Sequence, residues 1–389
     1  MASENPNDFD RRFMGEAIEL GRTMLGLTTP NPAVGCVIVR NQRIVGRGAT
    51  GQGGRPHAET NAIAEAGKKA RGATAYVSFE PCAHQGRTPP CARALVEAGI
   101  SKVVIGCLDP YPPVRGRGIR ILREAGVPIV TGVLEDECRR ANEGFITRVT
   151  RGRPFVTLKL AATLDGRIAA PGGDSQWISS PESRALVHRW RRECDAVMVG
   201  ARTVVADNPR LTCRTSGGRD PIRVVVDAKL IVSPAARIFR QRSAAPAIVV
   251  TTQANLSRAK GLFSSSRVEV IGCDEHGGEI DLEALAIEFG RRGWCKLLIE
   301  GGASTAASAL RFGIVDRVAM FLAPKILGCG LAAIEGLAAA RVRDAISIAD
   351  LVARPIGEDW LLEGRPAKIR RGISARPGRK ARLEELQTR

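Results

Sequence analysis

The sequence predicts two successive α/β domains followed by a basic tail. A chain of 389 residues is too long for one ordinary hydrophobic core. Short apolar, β-branched runs alternate with helix-periodic stretches along most of its length, the pattern of layered α/β domains. A basic stretch, Arg151-Gly152-Arg153-Pro154, interrupts the alternation, and its Pro disfavours continuation of a preceding helix. The expected boundaries are therefore 1–150, 151–364 and 365–389.

In the first domain, Phe13, Ala17, Leu20 and Met24 follow the spacing of an amphipathic helix. Val34 to Val39 and Arg43 to Gly46 read as strands around a turn at Asn41-Gln42, and Ala73 to Phe79 as another. His57 to Ala70 reads as an Ala-rich helix. Ala92 to Glu97 leads through Gly99 into a strand from Lys102 to Leu108, and the segment after Gly118 repeats that order. A three-layer α/β domain follows from this alternation. In the second domain, Phe155 to Leu160, Ala196 to Val199, Ile222 to Val226, Ala247 to Val250, Val268 to Ile271 and Lys296 to Ile299 have the character of buried strands. Glu182 to Arg191 and Leu282 to Phe289 read as helices between them. From about Gly364 polarity rises and the pattern fades, which predicts a poorly ordered tail.

Composition narrows the function classes. The N-terminus has no apolar core and the chain no apolar stretch of membrane-spanning length, so a cytoplasmic protein without membrane association is expected. Of the 10 Cys, only Cys82 and Cys91 sit close together in a distinctive context. The formal charge of +18 suggests a polyanionic partner, yet the aromatic content of 4% is too low for the stacking platforms of single-strand binders. Part of the charge lies in the tail, and a solvated basic surface, a binding role for that tail and cationic pockets for a small phosphorylated substrate are the three readings of it.

The strongest chemical signal is His57-Ala58-Glu59 followed by Pro81-Cys82-Ala83-His84-Gln85-Gly86-Arg87-Thr88-Pro89-Pro90-Cys91. One imidazole and two thiolates supply the three protein donors of a catalytic zinc site with an open position, which gives His57, Cys82 and Cys91 as ligands of one zinc per chain. Water in that position becomes a nucleophile toward a ring carbon bearing an amino group, and Glu59 is placed to carry the protons. A structural four-ligand site is the rival, with His84 as the nearby fourth donor.

Eight residues separate the paired Cys where deaminases of nucleosides and nucleic acids have two. That string, with Thr29-Pro30-Asn31-Pro32-Ala33-Val34-Gly35 and Asp109-Pro110, resembles the riboflavin-biosynthesis deaminase family. The resemblance implies a cytidine-deaminase-like fold in which these segments line a pyrimidine pocket and its phosphoribosyl extension. Asn31 then reads the ring edge, and His84, Arg87 and Lys102 stand near anionic or polar substrate groups. Thr50 occupies a position where many family members have His, which removes any substrate contact carried over from there.

The second half, through Lys159-Leu160-Ala161-Ala162-Thr163-Leu164-Asp165-Gly166, Ser175-Gln176-Trp177-Ile178, Thr203 to Leu211, Glu300-Gly301-Gly302 and Ala323-Pro324-Lys325, resembles the reductase partner of that deaminase. That implies a dihydrofolate-reductase-like α/β domain. The strand before Glu300 opens through two Gly into an Ala-rich helix, a helix N-terminus suited to phosphate. By the resemblance, Ala161, Trp177, Thr203, Asp207, Gly302, Ala303 and Ser304 contact NADPH, while Ser175, Arg191, Leu211, Arg214 and Glu300 contact substrate. Lys159, Asp207 and Glu300 are the acid–base candidates. From the residues alone, Trp177 also reads as a core aromatic and Glu300 as a helix-cap acid.

The resemblance implies a bifunctional enzyme. Zinc-dependent deamination of 2,5-diamino-6-(5-phosphoribosylamino)pyrimidin-4-one comes first, then NADPH-dependent reduction of 5-amino-6-(5-phosphoribosylamino)uracil to its ribitylamino product. A homo-oligomer acting on small phosphorylated pyrimidines is expected. The alternative is a nucleic-acid or nucleoside deaminase with an accessory nucleotide-binding domain, which the charge favours and the Cys spacing opposes.

Overall fold

The structure, a computed structural model, describes residues 8–83, 89–111, 114–215, 218–264 and 267–367, and the backbone of 374–375. The chain divides into two compact units, Met1–Phe155 with Phe289–Cys295, and Val156–Glu288 with Lys296–Arg389.

The first unit holds a five-stranded sheet of β1 (Gly35–Arg40), β2 (Arg43–Ala49), β3 (Thr74–Phe79), β4 (Lys102–Cys107) and β5 (Ile129–Thr131), in the order β2-β1-β3-β4-β5. β1 pairs antiparallel with β2 and β3, whereas β3, β4 and β5 run parallel. The β1–β2 turn falls at Asn41 and Gln42, both with positive φ, as a tight hairpin requires. Side-chain alternation feeds two cores. Cys36 and Ile38 of β1 join Ala58, Ala62 and Leu95 on one face, and Val37 and Val39 join Phe13, Met14 and Ala17 on the other.

The helices of this unit are α1 (Asp8–Arg22), α2 (Ala58–Ala66), α3 (Cys91–Glu97), α4 (Arg117–Glu124), α5 (Glu135–Ala141) and α6 (Glu143–Arg151). α2 lies directly on β2, because a Cβ at Gly48 would run into the carbonyl of Ala58. Small residues on both surfaces allow that approach, and it fixes where His57 and Glu59 stand. The helix ends earlier than its Ala content suggests, since Gly67 takes positive φ and the chain continues as a short 3₁₀ turn.

The second unit is built on a nine-stranded sheet. Its strands are β6 (Phe155–Thr163), β7 (Ala196–Gly200), β8 (Ile222–Val226), β9 (Ala247–Thr252), β10 (Val268–Cys273), β11 (Lys296–Glu300), β12 (Arg317–Ala323), β13 (Ile348–Ile356) and β14 (Asp359–Pro366). The order is β10-β9-β8-β7-β11-β6-β12-β14-β13. The helices are α7 (Pro181–Glu193), α8 (Ala201–Asp207), α9 (Leu256–Leu262), α10 (Leu282–Arg291) and α11 (Ala303–Arg311). Ser180 caps α7 by accepting from Ser183 N at 3.2 Å, and buried Asp359 of β14 accepts from Ser180 N at 2.7 Å and the Ser183 hydroxyl at 2.6 Å.

The sheet is mixed. The closing hairpin of β13 and β14 runs antiparallel and attaches to β12. Sequence patterning missed β13 because it is exposed along almost its whole length and lacks a two-residue apolar period. β14 continues to Pro366, past the expected tail boundary, and Ser374–Ala375 pairs with Leu337–Ala338. Most of the expected tail lies outside the described residues. Among the described residues, no helix is long and apolar enough to cross a membrane.

Candidate functional site

In the first unit, β3 ends at Phe79 and the chain turns through Pro81-Cys82. Cys91 opens α3, and His57 sits in extended conformation just before α2. These elements bring a ligand atom from each of His57, Cys82 and Cys91 within 4.8 Å of one another. His57 Nδ1 is 3.2 Å from Cys91 Sγ, and the Cys91 main-chain N–H donates to Cys82 Sγ at 3.3 Å. Three converging N and S donors fit a tetrahedral zinc ion with one open position. His84, the suggested fourth donor, lies outside the described residues, as does Arg87.

The two thiols differ sharply in acidity. Cys82 is held at about 4 by the hydrogen bond from Cys91, reinforced by His57, so it is a thiolate near neutrality. Cys91 is correspondingly raised as the donor to Cys82. Glu59, buried on the first turn of α2, is pushed up to about 7 by burial, with the charge of Cys82 acting in the same direction. It lies within hydrogen-bonding reach of Cys91. A carboxyl poised near neutrality beside the donor set can both accept and release a proton.

Asn31 packs against Gly54 in the segment leading to His57, and Asn31 N donates to Thr28 O at 2.9 Å. Thr50 is buried, its hydroxyl accepting from Val34 N at 3.0 Å, so this residue braces the same region through the main chain. Lys102 does not join the site. It pairs in register with Thr74 at the start of β3, at the end of the sheet opposite the zinc turn, and lies 3.7 Å from Asp10. The length of β4 separates the two ends by about 17 Å, so Lys102 is no substrate ligand of this unit.

In the second unit the carried-over residues fall into two groups. Around the β11–α11 turn, Gly301 and Gly302 both take positive φ, and a Cβ at Gly302 would sit 2.7 Å from Thr203 Oγ1. Arg202 Nη1 donates to Ser304 Oγ at 3.2 Å. Ala303 is buried at the head of α11. Burial raises the Asp207 carboxyl at the end of α8, and neighbouring Ser175 opposes that shift. Trp177 is 61% exposed and therefore no core aromatic. The Arg184 guanidinium lies 4.5 Å over its ring, and Lys325 Nζ donates to the Trp177 carbonyl at 2.6 Å.

The other group centres on Glu300, which is an ion-pair partner and not a helix cap. Arg191 grips it through Nε to Oε1 at 2.5 Å and Nη2 to Oε2 at 2.7 Å, while Arg191 Nη1 donates to Thr212 O at 3.1 Å. Burial pushes the Glu300 carboxyl up, but Arg191 and Lys159 outweigh it and hold it below its ordinary value. Lys159 stands on the same strand face as Ala161 and is lowered by burial, with Glu300 opposing. Leu211 is buried in a core cluster with Val197 and Val204 and has positive φ. Arg214 remains exposed.

Sequence reasoning missed His188. Its Nδ1 is 3.4 Å from Arg191 Nη1, and burial together with Arg191 and Arg214 lowers its pKa. The one sequence signal was its position three residues before Arg191 on α7, on the same helix face.

Fold and site define a hydrolytic deaminase of the zinc type joined to an α/β reductase domain. Residues 7–107 match the cytidine and deoxycytidylate deaminase zinc-binding region, and residues 154–362 match the RibD C-terminal domain. The chain belongs to the RibD family, the bifunctional deaminase/reductase proteins of riboflavin biosynthesis. The riboflavin biosynthesis protein RibD of Aquifex aeolicus is 39% identical over 356 residues, covering 91% of this chain and 98% of its own. That of Escherichia coli is 38% identical over 369 residues, with 91% and 98% covered. Among solved structures, the Thermotoga maritima diaminohydroxyphosphoribosylaminopyrimidine deaminase/5-amino-6-(5-phosphoribosylamino)uracil reductase superposes with a TM-score of 0.82 at 38% identity, covering 92% of this chain and 99% of that one. An Acinetobacter baumannii RibD gives 0.81 at 34% identity, with the same coverage.

Proposed function

We propose that the first unit removes the 2-amino group of 2,5-diamino-6-(5-phosphoribosylamino)pyrimidin-4-one and that the second reduces the resulting 5-amino-6-(5-phosphoribosylamino)uracil. The observation that carries this reading is the convergence of His57, Cys82 and Cys91 with buried Glu59 beside them. A zinc ion held by those three residues supplies the positive charge that makes water nucleophilic near neutral pH. Glu59 takes a proton from the attacking water and delivers it to the ring nitrogen. It then passes the second proton to the amino group as the C2–N bond breaks, so water is consumed and ammonia leaves. Asn31 holds the ring edge, and Asp109-Pro110 borders the phosphoribosyl side. His84 and Arg87 keep their assignment to polar substrate groups.

In the second unit, bound NADPH would supply the hydride for reduction at C1′ of the ribosyl group. The Gly302 to Ser304 turn at the head of α11 would hold its diphosphate, and Ala161, Trp177, Thr203 and Asp207 would contact the rest of it. Because Arg191 already spends Nε and Nη2 on Glu300, Arg214 is the guanidinium with room for a ribose phosphate, assisted by Ser175 and the Leu211 main chain. Lys159, whose proton is loosened by burial, is the donor to the nitrogen at C1′. Glu300, kept ionised by Arg191 and Lys159, orients the sugar hydroxyls. Cytoplasmic location accords with the absence of a disulfide among the described cysteines. Self-association accords with the exposure of Leu351, Val352 and Trp360 on the β13–β14 hairpin.

The test supplies the diaminopyrimidine phosphate with and without NADPH and follows both products. Ammonia release in either case, with ribitylamino product only when NADPH is present, is the expected result. Absence of ammonia from a zinc-loaded enzyme rejects the reading.

A further inference from the structure

One buried carboxylate of the first unit has no place in the deamination chemistry. Glu80 is 4% exposed and lies between β3 and the Pro81-Cys82 turn. Its main-chain N–H donates to Cys107 O at 3.0 Å, at the end of the neighbouring β4. Its side chain accepts three main-chain hydrogen bonds: Asp109 N and Gly116 N reach Oε2 at 3.3 and 3.0 Å, and Gly118 N reaches Oε1 at 3.2 Å. These donors stand at both ends of the segment connecting β4 to α4.

That segment begins with Asp109-Pro110, and its far end rests on the zinc turn, where a Cβ at Gly118 would run into the carbonyl of Pro81. Asp109 in turn accepts from Tyr111 N at 2.7 Å. Between the anchors, Tyr111 and Arg115 are exposed. A carboxylate is an acceptor at both oxygens and serves three N–H groups at once. An amide of the same shape offers one oxygen and turns its own N–H₂ toward the remaining donors.

We propose that Glu80 is a positioning residue, which ties Asp109 to Gly116 and Gly118 beside the zinc turn and thereby sets the affinity of the deaminase for its phosphoribosylamino substrate. Glu80 is not one of the three metal donors, and it acts through the main-chain N–H groups of Asp109, Gly116 and Gly118. The proposal rests on the reading that Asp109-Pro110 borders the substrate pocket.

The test is Glu80→Gln in the zinc-loaded full chain. Amide exchange at Asp109, Gly116 and Gly118 accelerates by about tenfold or more, and deaminase KM rises by about tenfold with kcat within about threefold. Zinc content stays at one per chain. Unchanged exchange overturns the proposal, because Glu80 is then no anchor. Faster exchange with unchanged KM also overturns it, by placing the segment outside the substrate pocket. In that case kcat at saturating substrate still reports whether the zinc-centre reading stands. Loss of zinc together with kcat overturns it too, by assigning Glu80 to the metal turn. If Glu80→Gln does not fold, Gly118→Ala pushes the same segment off Pro81 with Glu80 intact, and it raises KM if the proposal holds and leaves KM unchanged if it does not.

Discussion

Arg191 on α7 and Glu300 at the end of β11 stand 109 residues apart in the chain and meet in a two-point ion pair. Their side chains are only 12% and 8% exposed. Desolvation of such charges is offset only while both are present, so Arg191→Met leaves a buried carboxylate without its fork and destabilises the second unit by about 3–5 kcal/mol. Arg191→Met combined with Glu300→Leu recovers much of that loss although reductase activity stays absent. Urea unfolding of the double-mutant cycle measures the coupling, and purely additive losses contradict it.

Glu59→Gln keeps the shape of the proton carrier and removes its chemistry. The variant retains one zinc per chain, loses deamination by about 10²-fold or more, and reduces the deaminated intermediate at the wild-type rate. Near-normal deamination would show that another group carries the protons.

Zinc removal separates the two activities. A chelator that strips the metal abolishes ammonia release, whereas NADPH oxidation with the deaminated intermediate continues unchanged. A parallel fall in both rates would show that the reductase depends on the zinc-bearing unit.

NADPH is preferred over NADH. Asp227, a strand-end acid of the kind that can favour NADH by holding a ribose hydroxyl, is buried and already accepts from Ile231 N at 3.0 Å and Val232 N at 2.8 Å. Arg202, tethered to Ser304 at the head of α11, is the cation assigned to the 2′-phosphate of the NADPH adenosine, as distinct from the substrate's ribose phosphate. Arg202→Ala lowers kcat/KM for NADPH by about tenfold and leaves that for NADH unchanged. Equal wild-type kcat/KM values for the two cofactors at fixed ionic strength reject this assignment.

Asp165 gives the second unit an acid-dependent tether. Thr163 Oγ1 donates to it at 2.6 Å and the main chains of Leu327 and Gly328 at 3.1 and 2.7 Å, which hold the carboxyl at about 2. A carboxyl depressed on folding contributes its stability above the unfolded value of about 3.9 and loses it as pH falls through the folded value. The stability gap between wild type and Asp165→Asn is therefore constant from neutrality to about pH 5 and narrows below about pH 4. Denaturant melts at three pH values measure it, and a gap that widens on acidification contradicts the assignment.

Short-range chemistry is what sequence reads well in this chain. The zinc donors were recognisable because a strand end, a Pro-Cys turn and two helix starts each leave local patterns, and the structure brings His57, Cys82 and Cys91 together. The buried parallel strands showed themselves for the same reason, through continuous apolar runs. Long-range placement is another matter. Nothing local in Lys102 tells which end of a parallel strand faces the turn, and pairing with Thr74 puts it at the wrong one. Leu211 looks like a contact residue until the core claims its side chain. Glu80 and the largely exposed β13 carry no periodic signal, because their roles come from groups supplied by distant parts of the chain. Periodicity and turn preference are properties of neighbouring residues. The pairing of Arg191 with Glu300 and of Glu80 with three main-chain amides exists only once burial removes water and leaves each group a single partner set.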